Sequence, residues 1–399
     1  MRRGVWHQFG HQSQTLAKDV LEAGVGVGVI VSPRDLRLDT AVERAEEFRR
    51  LGADVLLDPQ FHVPGFTNEN IATYNLESFR ESVNTLRDIP DSDLSELADR
   101  LVEVNRRLGS SAVMAPAVLY EAGQREIERL NRRLFSAAQH AAEELGVPVL
   151  STVVLGSSVM SSDETLSAAL GAATAHNCDG VFLACEFEAL RVPSSRALVE
   201  RFLNASITIA SAGKPVMHGY AGPMALLSFA VGAQAAAVGH FQNLWQFSRD
   251  RWGPTPAQGG GPQEFPPRRF FSSSLWGTIV YPDETALLSD PVARLVLTHS
   301  PFSGPVSSHA DWKPSDSWRH LVYIVGDRAT TVAAAGTPRA CAAAACAVLD
   351  SAVALHADVK REVSLRDGAD SYQAEWRDAL NAVVASRRDD YDFFELLLC

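Results

Sequence analysis

The stretch GVGVGVIVSPRD, residues 24–35, decides the fold, because its glycines belong either to a nucleotide-binding loop or to the entry of a strand. A dinucleotide fingerprint needs a strand before its glycines and a helix after them, so that phosphates meet the free N–H groups of the helix start. Here the order is reversed, since helical spacing in SQTLAKDVLEA precedes Gly24 and the apolar run VGVIV follows it. We predict that Gly24 closes a helix and that a buried strand follows, ending at Ser32 and Pro33.

The same order of helix, glycine and short apolar strand recurs along the chain. Further strands are predicted at Val55–Leu57, near Ser111, at Val147–Val154, at Val181–Cys185, before His218, at Ala235–Val238 and in LWGTIVY near Leu275. About eight such units predict an α/β fold with parallel strands, closed into a (β/α)8 TIM-type barrel. An open doubly wound sheet is the alternative, but SPRDL is a poor phosphate-binding turn after its first strand.

The domain organisation is predicted to change near residue 290. Residues 1–290 form the TIM-type barrel, and residues 291–399 form a C-terminal, mainly helical extension that packs on the barrel or on a partner. HLVYIVGD, residues 320–327, is a candidate for one more strand, and a long helix rich in small residues runs from Pro338 to His356. The apolar tip at residues 393–398 is a candidate contact with a partner protein or with a second copy of the chain.

The composition favours a soluble cytoplasmic protein. The formal charge of −12 argues against extensive nucleic-acid coating or docking on an anionic membrane, and we expect no membrane span. Five cysteines, an odd number without paired C-x-x-C spacing, indicate a reducing compartment rather than a disulfide framework or a zinc site.

Polar residues gather where the predicted strands end, and this is the face on which TIM-barrel active sites lie. Glu186 and Glu188 stand two residues apart, so in extended backbone both point to one face; the alternative is a salt bridge to Arg191. Asp58 precedes Pro59 and is either a turn cap or a site acid. The candidate catalytic residues are Asp58, Glu186 and Glu188, and the candidate substrate-binding residues are Asp35, Gln60, His218, Gly219, His240, Asn243, Arg249 and Arg251.

A long segment rich in glycine and proline, residues 248–271, joins the last two predicted barrel strands. Its arginines, including Arg249 and Arg251, and its aromatic residues could grip a phosphate and stack on a base. The alternative, which we favour, is that these arginines pair with carboxylates of the barrel itself.

No cofactor is specified by a motif, and His218 and His240 are candidate ligands of a metal ion. These histidines end consecutive strands, and with one carboxylate they would resemble the ligand set of a metal-assisted enzyme.

The run HGYAGPMALLSFAVGAQAAAVGHFQNLWQFSRDR, residues 218–251, resembles the late barrel segment of the tRNA-guanine transglycosylase superfamily. In that family a glycine-proline turn opens a helix, a strand follows, and an arginine-bearing loop comes next. The resemblance implies base exchange at an N-glycosidic bond of a nucleotide or nucleic acid, in which one carboxylate attacks the anomeric carbon and another moves the proton. From strand-end position alone, we assign Glu186 as the nucleophile and Asp58 as the acid/base.

Two other functions remain open at this point. One is a metal-assisted lyase or hydrolase acting on a small molecule, and the other is a non-catalytic barrel that serves as a subunit of a larger assembly.

Overall fold

The computed structural model describes residues 1–84, 89–187, 192–240, 244–252, 268–307, 312–365 and 372–398. Eight parallel strands form one sheet that is nearly closed into a barrel, which confirms the predicted (β/α)8 fold. The barrel strands are β1 (Gly4–Gln8), β2 (Gly28–Val31), β3 (Asp54–Leu57), β4 (Val113–Met114), β5 (Val149–Leu155), β6 (Gly180–Cys185), β7 (Val216–His218) and β8 (Ala235–Val238). Their order in the sheet is β3-β2-β1-β8-β7-β6-β5-β4, and the backbone N–H of Ser111 donates to the Val55 carbonyl at 2.9 Å beside the gap between β3 and β4.

Helices alternate with these strands, and a two-stranded antiparallel hairpin lies outside the barrel sheet. The helices are α1 (Ser13–Glu22), α2 (Leu38–Arg50), α3 (Glu69–Ala72), α4 (Glu77–Asn84), α5 (Asp91–Leu108), α6 (Arg125–Leu145), α7 (Asp163–Thr174), α8 (Arg196–Ser211), α9 (Ala225–Ser228), α10 (Asp290–Val296), α11 (Pro314–Ala333), α12 (Pro338–Glu362), α13 (Tyr372–Ser386) and α14 (Arg388–Leu398). The hairpin strands are β9 (Arg269–Ser272) and β10 (Gly277–Val280).

The glycines of the opening stretch shape the chain rather than bind phosphate. Gly24 follows the end of α1 at a φ of +85°, a left-handed conformation that glycine adopts without a Cβ clash, so it closes the helix as predicted. Gly28 enters β2, where a Cβ would lie 2.5 Å from the ring of Trp6 on the neighbouring strand. The bulk of Trp6 inside the barrel therefore requires a residue without a side chain at position 28.

One predicted barrel strand is wrong, and one real strand was missed. LWGTIVY contributes β10, which pairs only with β9 among the described residues and is not part of the barrel. The barrel instead begins with β1, GVWHQ, whose five residues are all buried and which pairs with both β2 and β8. The count of about eight barrel strands was right although one member was not.

HLVYIVGD is helical, not a strand, because it lies inside α11. This helix follows the hairpin and packs on α1, α9 and β1, which is the position of the helix that follows β8 in a barrel. Its buried residues recur at helical spacing through Leu321, Val325 and Ala329. The predicted domain boundary at residue 290 stays a prediction.

The last three helices lie on the outside of the barrel. α12 packs on α13 and on the turn after α9, and α13 packs on α8, where the Trp376 indole donates to the Pro193 carbonyl at 2.7 Å. We expected no membrane span, but α12 is long and apolar enough to cross a membrane by length and composition. One such helix is weak evidence for a span, and 39% of its apolar window is buried against the rest of the protein. The cytoplasmic location stays a prediction.

Side chains alternate between two layers along each barrel strand, and this alternation determines which residues reach the mouth. One layer fills the interior and includes Trp6, Ile30, Leu56, Phe182 and Met217. The other faces the helices and joins the large outer core. A residue just after a strand therefore enters the mouth only if it continues the interior series.

Candidate functional site

The strand-end carboxylates Asp58 and Glu186 both continue the interior series. Asp58 follows Leu56 by two residues, and Glu186 follows Ala184 by two, so both side chains turn toward the C-terminal mouth. Between them lies Phe247, whose backbone forms a bridge with Glu186 and whose ring meets the His62 ring edge-on at 5.5 Å.

Asp58 is buried and hydrogen-bonded on both carboxylate oxygens. The Gln60 backbone N–H donates to Oδ1 at 3.0 Å, and the Tyr220 hydroxyl donates to Oδ2 at 3.4 Å. His62 Nε2 lies 3.2 Å from Oδ1, and both partners of this pair are 1% exposed. Burial raises the pKa of Tyr220 far above its ordinary value, and the negative charge of Asp58 adds to the effect, so the phenol remains a donor.

The His62 ring lies between two groups that accept hydrogen bonds. Nε2 faces the Asp58 carboxylate, and Nδ1 lies 3.2 Å from the Ala117 carbonyl oxygen. The tautomer determines which contact is a donated hydrogen bond: hydrogen on Nε2 pairs the ring with Asp58, and hydrogen on Nδ1 pairs it with the Ala117 carbonyl.

Arg80 on α4 holds the loop that carries His62. Its guanidinium donates to the backbone carbonyls of Gln60, Val63 and Phe66, and its side chain is fully buried. Burial lowers the pKa of Arg80 to about 10, and the nearby charge of Asp58 opposes that change. A charged guanidinium that satisfies three carbonyls fixes this loop, and with it the position of His62.

Glu186 is paired with Arg249, as the favoured interpretation of the arginine-rich segment predicts. Arg249 Nε lies 2.9 Å from Oε1 and 3.0 Å from Oε2, and the Arg249 backbone N–H also donates to Oε1. Arg249 also pairs with Glu121, which accepts a hydrogen bond from Ser158. Burial raises the pKa of Glu186, but the hydrogen bonds and charge of Arg249 outweigh it and hold the pKa below its ordinary value.

Asp35, Gln60 and Arg251 form a second polar cluster at the mouth. Asp35 accepts hydrogen bonds from Ser32 and Arg251, and the Arg251 side chain is only 2% exposed. The Gln60 amide joins two loops, since its nitrogen donates to Ser32 Oγ at 2.8 Å and its oxygen accepts from the Arg34 backbone at 3.1 Å. These contacts bring together three residues that the sequence predicted only as separate substrate contacts.

His218 and His240 face the outer helices rather than the mouth, and they have different partners. Both ring nitrogens of His218 lie 2.9 Å from serine hydroxyls, those of Ser206 and Ser228. His240 lies beside Ser13 on α1 and against the Trp318 ring. Within the described ranges no group of three or more His, Cys, Asp and Glu residues could hold a metal ion, so nothing here supports a metal at these two histidines.

Two of the predicted site residues, Glu188 and Asn243, lie outside the described residues, as does Arg191, the expected partner of a glutamate. Sequence reasoning missed His62 and Tyr220. The available signal for His62 was its position four residues after Asp58, in the same loop. Tyr220 has a φ of +51°, a left-handed backbone conformation that the sequence around it does not predict.

Comparison with known proteins adds no assignment. No protein-family model matches the chain, and no curated protein resembles it significantly.

Gly219 serves packing inside the barrel, and its replacement is expected to destabilise the fold. A Cβ at this position would lie 2.0 Å from Phe182 Cζ, and Phe182 is fully buried. We expect Gly219→Ala to lower the free energy of unfolding by about 1–3 kcal/mol in urea denaturation. Gly171→Ala is the matched control, because it lies within α7 with nothing within 4 Å of its Cβ, and it should be neutral or stabilising. Equal effects of the two substitutions would contradict this packing role.

Proposed function

We propose that the barrel is an enzyme that exchanges or releases the base at an N-glycosidic bond of a nucleotide or nucleic acid. The observation that carries the proposal is the buried contact between Asp58 and His62, 3.2 Å apart, which places two groups that can move a proton at the inner mouth. A departing base needs a proton on its nitrogen, and a side chain that delivers it accelerates the reaction by about 10²–10⁴-fold.

The two carboxylates suit different roles because their surroundings differ. Arg249 keeps Glu186 ionised, which suits attack on the anomeric carbon or stabilisation of its positive charge. Asp58 and His62 instead move the proton to and from the base. This division is what a two-carboxylate mechanism requires.

In the proposed reaction, a Glu186 oxygen forms a bond to the anomeric carbon while the glycosidic bond breaks. The bonding electrons pass to the base nitrogen, which takes the proton from Asp58 and His62. An incoming base or water then attacks the anomeric carbon, returns a proton to the pair and releases Glu186. Arg249 must turn away from Glu186 before the attack, because its donors cover both carboxylate oxygens.

The test uses purified full-length protein with RNA, DNA or nucleoside 5′-monophosphates and radiolabelled free bases. Incorporation of label, or release of the unlabelled base, supports the proposal when Glu186→Gln abolishes it. Turnover that persists in both Glu186→Gln and Asp58→Asn would contradict the assigned residues.

A further inference from the structure

The buried polar atoms at the mouth that have no partner are mainly hydrogen-bond donors. Among the described residues, nothing accepts a hydrogen bond from Arg251 Nε or Nη1, Arg34 Nε, Trp252 Nε1 or Gln8 Nε2. A buried donor without an acceptor costs about 1–3 kcal/mol, and more when it is charged. Five such donors in one region indicate that the missing partner is a group that only accepts hydrogen bonds.

These donors belong to one cluster. The Arg251 guanidinium lies 5.6 Å from the Trp252 ring and 6.0 Å from the Tyr220 ring, and the Arg34 guanidinium also lies 5.6 Å from the Trp252 ring. Gln8 reaches the cluster through Tyr220, whose backbone N–H donates to Gln8 Oε1 at 2.9 Å. Residues from the ends of β1 and β2 and from the segment after β8 therefore meet here.

The charges of the cluster are unbalanced. Asp35 is the only carboxylate that the structure pairs with Arg34 or Arg251 among the described residues, so two guanidinium groups share one negative charge. Burial lowers the pKa of Arg34, and the positive charge of Arg251 lowers it further. A second negative charge would relieve this repulsion.

We propose that Arg251 and Arg34, flanked by Trp252 and Gln8, form a binding site for a phosphate group. A phosphate offers several acceptor oxygens to the free edges of two guanidinium groups, whereas a carboxylate offers two. This inference rests on the proposed function in one respect, namely that a nucleotide substrate would bring its phosphate to this mouth. Binding of the anion itself is measured without turnover.

The experiment is calorimetric titration of the full-length protein with inorganic phosphate, with chloride at equal ionic strength as the reference. We expect saturable binding in the wild type and a loss of affinity of at least about tenfold in Arg251→Lys, which keeps the charge beside Asp35 but loses the guanidinium fork. Arg34→Gln is the second variant, since Arg34 is more exposed and its loss leaves the buried pair of Arg251 and Asp35 intact. Arg201→Gln is the control, because Arg201 pairs with Asp163 on the outer helices.

Separate arms identify the source of the phosphate and keep the two proposals distinct. A nucleoside 5′-monophosphate that binds more tightly than inorganic phosphate, while the unphosphorylated nucleoside binds weakly, supports a nucleotide phosphate at the site. Equal affinity for the nucleotide and inorganic phosphate supports the anion site and counts against a nucleotide substrate. Absence of phosphate binding in the wild type, or unchanged affinity in both Arg251→Lys and Arg34→Gln, overturns the anion site and leaves the proposed role of Asp58 standing.

Discussion

Asp58→Asn is expected to reduce base exchange or release by at least about a hundredfold while leaving the fold intact. The amide has nearly the same shape, and its single oxygen can still accept the hydrogen bond from the Gln60 backbone N–H, but it cannot hold a proton for transfer. The measurement is the initial rate of base incorporation or release, with thermal unfolding as the check on folding.

Tyr220→Phe is the matched control for this prediction. It removes the other side-chain contact to Asp58, a hydrogen bond of 3.4 Å, and leaves the pair of Asp58 and His62 in place. We expect a loss of less than about tenfold, since long hydrogen bonds contribute little. A larger loss in Tyr220→Phe than in Asp58→Asn would show that Asp58 is structural.

The protein is expected to lose most of its stability between about pH 6.5 and pH 4. Burial lowers the pKa of five histidines: His7, His176 and His320 to about 4, and His218 and His240 to about 3. The unfolded chain binds protons at these rings below about pH 6.5 while the folded chain does not, so acidification favours unfolding. At about pH 4.5 each of these rings lowers the free energy of unfolding by on the order of 2 kcal/mol. The sum over the five rings is comparable to the whole stability of a domain.

Urea denaturation between pH 7.5 and pH 4.5 tests this expectation. His218→Gln should flatten the pH dependence, because the amide can bond to Ser206 and Ser228 and does not titrate. The exposed His140 supplies the control variant, His140→Gln, whose pH profile should match the wild type. Equal slopes of unfolding free energy against pH in all three proteins would show that His218 does not contribute to the acid sensitivity.

The sequence predicted the barrel because helical spacing, a glycine and a short apolar strand recur along most of the chain. β1 was missed because GVWHQ opens with glycine and carries His7 and Gln8, polar residues that the fold buries. His7 is tolerated there because its Nε2 bonds to the Val25 carbonyl at 2.9 Å. LWGTIVY has the same apolar pattern as a barrel strand, and only its pairing with β9 places it elsewhere.

The site was predictable where strand parity alone decides the orientation of a side chain. All four residues were expected at the mouth from their strand-end positions. Asp58 and Glu186 continue the interior series, whereas His218 and His240 turn outward because each continues the outer series of its strand. The partner of Glu186 was not predictable, because Arg249 lies 63 residues away in sequence and reaches it only through the fold. The position of His62 was not predictable either, because it depends on the loop that the Arg80 guanidinium holds.

A crystal structure of the Asp58→Asn variant with a nucleoside 5′-monophosphate tests whether the barrel mouth binds the substrate beside residue 58. We expect a nucleotide in the barrel mouth, with its glycosidic nitrogen within about 3.2 Å of residue 58 or His62, directly or through one water. A nucleotide bound outside the mouth, or one whose glycosidic bond points away from the end of β3, would contradict the proposed function.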